Sequence, residues 1–313
     1  FAMDQRVVSI DADLATTSGL EAGVGFVDLG RALNVGVAEA NMMLIGEAFA
    51  AKGYNTWVST FCPFFDWKVL RRIAISHQER LEAASDPTGW LAEGHGLDLT
   101  FLATAPNFET RTNGATHMGN DDVLVYRGIA HLKIIDSSCP QQVLSILKWI
   151  MEGNRGLVYL RILRAAAPVL YPETFEFEYQ KGYKLRNISE PKGYIVSSGR
   201  GVYEALAAAK LLEQKGVVVE VIDMPSPDPS LILELARGKK PVILAEQNNG
   251  YLWEEFHKVL RRQKKIDMEH VIPMNLLDAE EKPRFIHSAT YAELLEEYGL
   301  SPSQIAEKIL TVL

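Results

Sequence analysis

The sequence predicts an α/β protein of two three-layer α/β/α domains with mostly parallel sheets. The chain has 313 residues, which is enough for about two domains. Short apolar segments alternate with longer segments of helical periodicity, which is typical of parallel sheets covered by helices. The stretch 165–191 contains prolines, aromatic residues and mixed charges without a sustained period. We therefore predict a first domain at 1–175, a linker at 176–191 and a second domain at 192–313.

The composition is that of an ordinary globular protein and excludes several classes of function. Hydrophobic residues make up 47% and charged residues 23% of the chain, and no apolar run is long enough to span a membrane. The net charge of −8 argues against a general nucleic-acid-binding role. The two cysteines, Cys62 and Cys139, do not make a disulfide framework and suit a reducing compartment, so we expect a cytoplasmic protein. No secretory signal is recognisable, and the early start of the first strand leaves open whether the native N-terminus is present.

The first domain begins with an apolar strand at Val7–Ile10. A second short strand at Asn34–Val37 leads into Glu39, and small and apolar residues predict a helix over Ala40–Ala51. Gly53 ends this helix because glycine readily takes a positive φ. The remaining predicted elements are strands at Thr56–Ser59, Leu99–Ala103, His131–Ser137 and Leu157–Ile162, helices at Asp66–Ala84 and Pro140–Met151, and a turn-rich connection at 85–96.

The second domain repeats the alternation of strands and helices. Its predicted strands are Tyr194–Ser197, Val217–Ile222 and Pro241–Glu246, and its predicted helices are Gly201–Lys215 and a capped helix within 226–238. The segment SSGRGVYEAL lies between a strand and a helix and carries a partial G-x-G at Gly199 and Gly201. It lacks the third glycine of a dinucleotide fingerprint, so a tight turn is the better interpretation.

The most informative stretch joins a lone acid to a cluster of aromatic residues. Glu39 stands at a strand-to-helix junction among apolar neighbours, and the pKa of such an acid is raised if it is buried. The aromatic side chains that follow the next strand could offer a flat ring a stacking surface; they are Phe61, Phe64, Phe65 and Trp67. The alternative is a solvated acid in the first turn of a helix beside a phenylalanine-rich core. The residues alone leave both interpretations open.

Three polar groups are further candidates. The polar loop at 105–122 follows a predicted strand and contains one histidine, His117, which suits either catalysis or a surface hydrogen bond. Arg161 and Arg164 end another strand, where they suit a phosphate or carboxylate ligand or, equally, surface charge. Asp11 and Asp13 match no closed set of metal ligands, and caps and turn bonds explain them as well.

The stretch VAEANMMLIGEAFAAKGYNTWVSTFCPFFDW resembles the pyrimidine-binding core of the transketolase family of thiamine diphosphate enzymes. In that family a V-R-E tripeptide carries the glutamate that activates the cofactor, and Glu39 matches it with Ala38 in place of the usual arginine. The family's S-T-F segment matches at 59–61, and its aromatic residues stack on the aminopyrimidine. The resemblance thus implies that Phe61, Phe64 and Trp67 bind the cofactor, with Trp67 where tyrosine is frequent.

Other motifs extend the resemblance and add site residues. GATH at 114–117 matches a family motif whose histidine contacts the substrate, which implies this role for His117. Asp13 and Thr17 match a turn that lies beside the cofactor, and Arg161 matches a strand-end arginine that contacts substrate phosphate. The chain departs from the family in two places that put sugar-phosphate substrates in doubt: Asn113 replaces an aspartate that contacts a substrate hydroxyl, and Ala105 replaces a phosphate-binding histidine.

The C-terminal half also resembles the family, since EQNNGYLWEEF and YAELLEEYGLSPSQIAEKIL are similar to segments of the transketolase C-terminal domain. The chain lacks the G-D-G motif of the domain that binds the diphosphate and its metal. The resemblance therefore implies one subunit of a split enzyme, without metal ligands of its own. A partner subunit would hold the diphosphate and Mg²⁺ or Ca²⁺, and two copies of each chain would form a heterotetramer.

The resemblance implies a transferase that moves a two-carbon ketol unit from a small-molecule ketose to an aldehyde. Glu39 would hydrogen-bond the aminopyrimidine and support its imino form, and it should be protonated in a low-dielectric site. His117 would hydrogen-bond developing charge on the substrate oxygen. The alternatives are a beta-type subunit of a 2-oxo acid dehydrogenase or another thiamine diphosphate enzyme, and a non-catalytic assembly subunit. A dinucleotide-dependent oxidoreductase using Gly199 and Gly201 is a further alternative.

Overall fold

The structure is a computed structural model that describes residues 1–2, 4–85, 95–110, 113–263 and 266–313. Most of the predicted turn-rich connection at 85–96 lies outside the described residues, as do two residues of the loop at 105–122. Among the described residues, no helix is both long and apolar enough to cross a membrane.

The first sheet has six parallel strands in the order β2-β1-β3-β4-β6-β5. The strands are β1 Val7–Asp11, β2 Ala32–Asn34, β3 Asn55–Phe61, β4 Leu99–Thr104, β5 Lys133–Asp136 and β6 Leu157–Ile162. The helices are α1 Ala15–Ser18, α2 Leu20–Gly25, α3 Glu39–Ala51, α4 Trp67–Ser85, α5 Asp122–Tyr126 and α6 Pro140–Met151. Buried residues of α3 and α4 pack on one face of the sheet and those of α2 and α6 on the other, which gives the predicted three layers.

The second sheet has five strands in the order β11-β10-β8-β9-β7, and all its pairs are parallel except that of β7 with β9. The strands are β7 Tyr183–Lys184, β8 Tyr194–Ser197, β9 Glu220–Asp223, β10 Val242–Ala245 and β11 Val271–Met274. The helices are α7 Gly201–Gln214, α8 Pro229–Arg237, α9 Tyr251–Arg262, α10 Tyr291–Glu297 and α11 Pro302–Val312. Helices α8 and α9 cover one face, and α7 and α11 cover the other.

Local sequence signals set several of these boundaries. Gly53 takes φ 82° just after α3, and Pro140 opens α6, as predicted. Asp228 caps α8 by accepting hydrogen bonds of 3.0 Å from the backbone N–H groups of Ser230 and Leu231. The predicted strand at Asn34–Val37 is shifted, because Gly36 takes φ 73° and turns the chain out of the extended conformation.

The carboxyl ends of strands from both sheets meet in a buried polar interface. The Ser198 hydroxyl donates to Asp136, which ends β5, at 2.7 Å. The Ser138 hydroxyl donates to Asp223, which ends β9, at 2.5 Å. One hydrophobic cluster also contains residues of both sheets, among them Tyr159 and Ile222. The loops that follow the strand ends of the first sheet are therefore fixed against the second.

Candidate functional site

The predicted candidates collect at the carboxyl edge of the first sheet, where loops of parallel sheets commonly bind ligands. Phe61 ends β3, and the loop after β4 delivers His117. The ring centroid of His117 lies 5.3 Å from that of Phe61 and 4.9 Å from that of Phe64. The two phenylalanine rings are 5.8 Å apart. The structure thus brings together His117 and two of the predicted ring-stacking residues.

His117 is held as a neutral, oriented imidazole. The Thr116 hydroxyl lies 2.8 Å from Nδ1 of His117, so Nε2 is the ring nitrogen left for a ligand. Partial burial lowers the pKa of His117, and the positive charge of Arg164 lowers it further. The uncharged ring can donate one hydrogen bond without carrying a permanent charge.

Arg164 is the cation of this cluster. Its guanidinium carbon lies 5.2 Å from the centroid of the Phe61 ring, within the range of a cation–π contact. Nη1 donates to the backbone oxygen of Thr110 at 3.0 Å, and the backbone N–H donates to Glu109 Oε2 at 2.7 Å. The sequence identifies Arg164 as one of two strand-end arginines, but the family resemblance assigns the contact with substrate phosphate to Arg161.

The structure corrects the prediction that Arg161 contacts substrate phosphate. Its side chain is 0% exposed, with Nε 3.2 Å from Asp122 Oδ2 and Nη1 3.0 Å from Asp136 Oδ2. Nη2 donates to Asn107 Oδ1 at 2.9 Å and to the backbone oxygen of Gly119 at 2.6 Å. The guanidinium is completely buried, with Nε and Nη1 at ion-pair distance from two carboxylates and only Nη2 hydrogen-bonded, so it is not surface charge and is not exposed to an anionic ligand.

Arg161 instead closes the loop that carries His117. Asn107 and Gly119 lie on either side of His117 within this loop, and the backbone N–H of Asn107 also donates to the oxygen of Gly119 at 2.8 Å. Ala105 and Asn107 take φ values of 56° and 55°, which non-glycine residues adopt only when their surroundings enforce it. Ala105 is completely buried at the end of β4, where a histidine was expected from the family pattern.

Glu39 is the first residue of α3 and is half-buried in the single chain. It lies two residues after Val37, whose side chain is 78% exposed. The side chain of Glu39 is therefore not completely buried within this chain. Its position at a helix N-terminus suits a negative charge, as the alternative interpretation proposed.

The other predicted residues are more scattered. Asp13 has φ 64° and accepts a 2.8 Å hydrogen bond from the Asn34 side chain, beside the end of β2. Thr17 lies in the short helix α1, where its N–H donates to the Leu14 oxygen at 2.8 Å. Trp67 opens α4 and lines a separate exposed groove with Val125. Asn113 is half-buried directly before the GATH turn.

The turn that carries the partial G-x-G motif, Gly199 and Gly201, is filled by the carboxylate of Asp136. Gly199 has φ 54°, and a Cβ built on it would lie 2.9 Å from both carboxylate oxygens of Asp136. The Asp136 carboxylate therefore occupies the turn where a dinucleotide would place its pyrophosphate. Its negative charge repels a phosphate, so the turn does not suit dinucleotide binding.

The residues present fit one end of a flat, polar heterocycle such as an aminopyrimidine. Phe64 is only half-buried and can offer part of its ring, and Glu39 follows the carboxyl end of β2 at the same edge of the sheet. The described residues contain no group of three or more acidic, histidine or cysteine side chains placed to hold a metal ion. The arrangement can orient a ring and a substrate oxygen, while a metal would need ligands from elsewhere.

Comparison with known proteins gives matches along the whole chain. The family model of the transketolase pyrimidine-binding domain matches residues 1–169, and that of the transketolase C-terminal domain matches residues 182–252. A putative uncharacterized transketolase family protein of Sinorhizobium fredii is 26% identical, over 98% of this chain and 83% of its own length. A 6-deoxy-6-sulfo-D-fructose transketolase subunit of a Clostridium species is 29% identical, over 78% of this chain and 70% of its own. A solved split-gene transketolase, described as an inactive beta4 tetramer, superposes with a TM-score of 0.73 at 24% identity, over 100% of this chain and 95% of that one.

Proposed function

The chain belongs to the transketolase family, and from that premise we propose that it is one subunit of a split, thiamine diphosphate-dependent transketolase. The complete enzyme would transfer a two-carbon ketol unit from a ketose to an aldehyde. One observation carries the proposal: His117, Phe61 and Phe64 form a single cluster at the sheet edge that also bears Glu39.

The chain's own residues would bind and orient the cofactor's pyrimidine end. The ring of Phe64 offers an apolar face, and the Glu39 carboxyl holds a proton against a ring nitrogen. Docking of the partner subunit over Val37 would complete the burial of Glu39, and burial favours the protonated acid. Asp13, Thr17 and Trp67 remain proposed members of the cofactor site. The cofactor itself, when bound, supplies the carbanion chemistry.

His117 would hold the substrate near the reacting carbon. In the tautomer whose Nδ1 accepts from the Thr116 hydroxyl, 2.8 Å away, Nε2–H is free to donate to a substrate oxygen as negative charge develops there. Asn113, four residues before it, would contact a substrate hydroxyl as a neutral group.

Recognition of an anionic substrate would depend on Arg164. It stands beside His117 and Phe61, whereas the guanidinium of Arg161 is completely buried and ion-paired with Asp122 and Asp136. Without a histidine at Ala105, one charge-assisted bond to a phosphate is missing, which costs ~1.5–3 kcal/mol, or roughly ten- to hundredfold in affinity. We therefore propose poorer use of xylulose 5-phosphate-type donors than is usual for a transketolase.

A partner subunit would provide the diphosphate site and the Mg²⁺ or Ca²⁺ ion. The exposed apolar side chain of Val37, two residues before Glu39, suits such a partner, since it is 78% exposed. We propose a heterotetramer of two copies of each chain, in the cytoplasm. The division into domains at 1–175 and 192–313 with a linker at 176–191 is part of the same proposal.

The test is reconstitution of the chain with its diphosphate-binding partner. Ketol transfer should require both chains, thiamine diphosphate and a divalent ion, and this chain alone should bind the cofactor weakly. Parallel assays with a 2-oxo acid donor would identify a dehydrogenase-type subunit. Full ketol transfer by the purified single chain, or none by the cofactor-loaded complex with any ketose tried, would contradict the proposal.

A further inference from the structure

The second domain contacts the turn that carries His117 directly. The backbone N–H of Ala115, at the start of the turn Ala115–His117, donates a 2.8 Å hydrogen bond to the hydroxyl oxygen of Ser288. Ser288 lies in the segment between β11 and α10, 173 residues away in the chain. This bond satisfies one of the donors that the first turn of a helical segment leaves without an intrahelical partner.

The conformation of Gly114 and its lack of a side chain both permit this contact. It precedes the turn with φ 73°, a conformation that side chains rarely adopt. A Cβ built on Gly114 would lie 2.8 Å from the Cβ of Ser288 and closer still to its hydroxyl. Glycine is therefore required here for two separate reasons, the backbone conformation and the close approach of Ser288.

The segment that bears Ser288 is anchored, so the contact can transmit a fixed position. Thr290, two residues on, caps the N-terminus of α10 in a capping box with Glu293. Earlier in the loop that carries His117, the ring of Phe108 lies 5.8 Å from that of Tyr298, which follows α10. The loop that carries His117 thus rests on the second domain at more than one place.

We propose that Ser288 is a positioning residue for the reaction, which holds the turn of His117 from the second domain. It does not touch the cluster of His117 and Phe64 itself and acts through the backbone of Ala115. The kinetic part of this proposal rests on the proposed function. The C-terminal domain would then be needed for catalysis because it orients a residue of the substrate site.

The first experiment compares Ser288→Ala with Ser230→Ala, which removes an exposed hydroxyl from α8 of the same domain. In the reconstituted complex, Ser288→Ala should lower kcat roughly three- to tenfold, as expected for loss of one neutral hydrogen bond, with little change in cofactor affinity. In the isolated chain it should shift the NMR signals of the His117 ring while lowering the melting temperature by only a few degrees. Ser230→Ala should change neither.

The second experiment is a double-mutant cycle that separates the clash from the backbone strain. Gly114→Ala should lower kcat and displace the His117 signals, and adding Ser288→Gly should restore part of both, since it removes the side chain that the new Cβ meets. Additive effects of the two substitutions, or His117 signals unchanged by Ser288→Ala, would overturn the proposal. Because the NMR measurement needs no turnover, positioning by Ser288 is tested even if the complex proves to lack ketol transfer.

Discussion

Replacing Arg161 with methionine should destabilise the chain strongly, because it leaves two buried carboxylates without their positively charged partner. Arg161 lies 3.2 Å from Asp122 and 3.0 Å from Asp136, and the exposed fractions of the three side chains are 0%, 1% and 3%. Breaking a buried ion pair by removing one partner costs about 3–5 kcal/mol. Burial already raises the pKa of Asp122, and the arginine is the main group that opposes this. We therefore expect Arg161→Met to lower the free energy of unfolding by about 3–5 kcal/mol.

Urea unfolding of the isolated chain, followed by circular dichroism and fluorescence, measures this loss. The triple variant Arg161→Met, Asp122→Asn and Asp136→Asn should recover part of it, because no buried charge is left uncompensated. Arg164→Gln is the matched control and should cost only about 1 kcal/mol, the value of one hydrogen bond. The reasoning is refuted if Arg161→Met unfolds within about 1 kcal/mol of the parent chain and loses only discrimination for phosphorylated donors.

Two further predictions concern titrating groups. Arg164→Gln should raise the pKa of His117, because it removes a nearby positive charge, so the acid limb of the pH profile of kcat/KM should move to higher pH; an unmoved limb and an unchanged NMR titration of His117 would contradict this. Burial raises the pKa of Glu246 from 4.5 to about 8, against the opposing hydrogen bonds from the N–H groups of Leu252 and Trp253. The folded chain then holds a proton that the unfolded chain releases, so this stabilisation is complete below about pH 4.5 and is lost as the pH rises through 8. Glu246→Gln should flatten the pH dependence of the urea midpoint over that range, and a slope equal to that of the parent would show that Glu246 is ionised in the folded chain.

Helices and strands whose ends carry a recognisable local signal could be predicted from the sequence. The helix Pro140–Met151 and the strands Leu157–Ile162 and Tyr194–Ser197 have the predicted bounds, because a proline, a glycine or a polar cluster marks their ends. The strand β11 was missed because Pro273 interrupts its pattern, and proline is tolerated there since β11 lies at an edge of the sheet. The two-residue strand β7 falls in the predicted linker and is too short to show a period.

Site residues that stand in a local sequence motif were predictable. Site contacts between residues that are far apart in the chain were not. Phe61, Phe64 and His117 could be found because each stands in a motif after a strand, and the structure brings them together. Arg161 was misassigned because its acidic partners come from another loop and another strand, which spacing along the chain does not reveal. The contact between Ser288 and Ala115 is beyond sequence reasoning for the same reason.

The most direct test of the central claim is the turnover of the reconstituted complex with Glu39→Gln. The amide fills the same space as the acid but cannot hold or pass the proton, so ketol transfer should fall roughly a hundred- to ten-thousandfold. The melting temperature of the chain should barely change. Glu21→Gln, on the exposed surface of α2, is the control and should retain full activity. Near-normal ketol transfer by the Glu39→Gln complex would remove Glu39 from the mechanism and contradict the account.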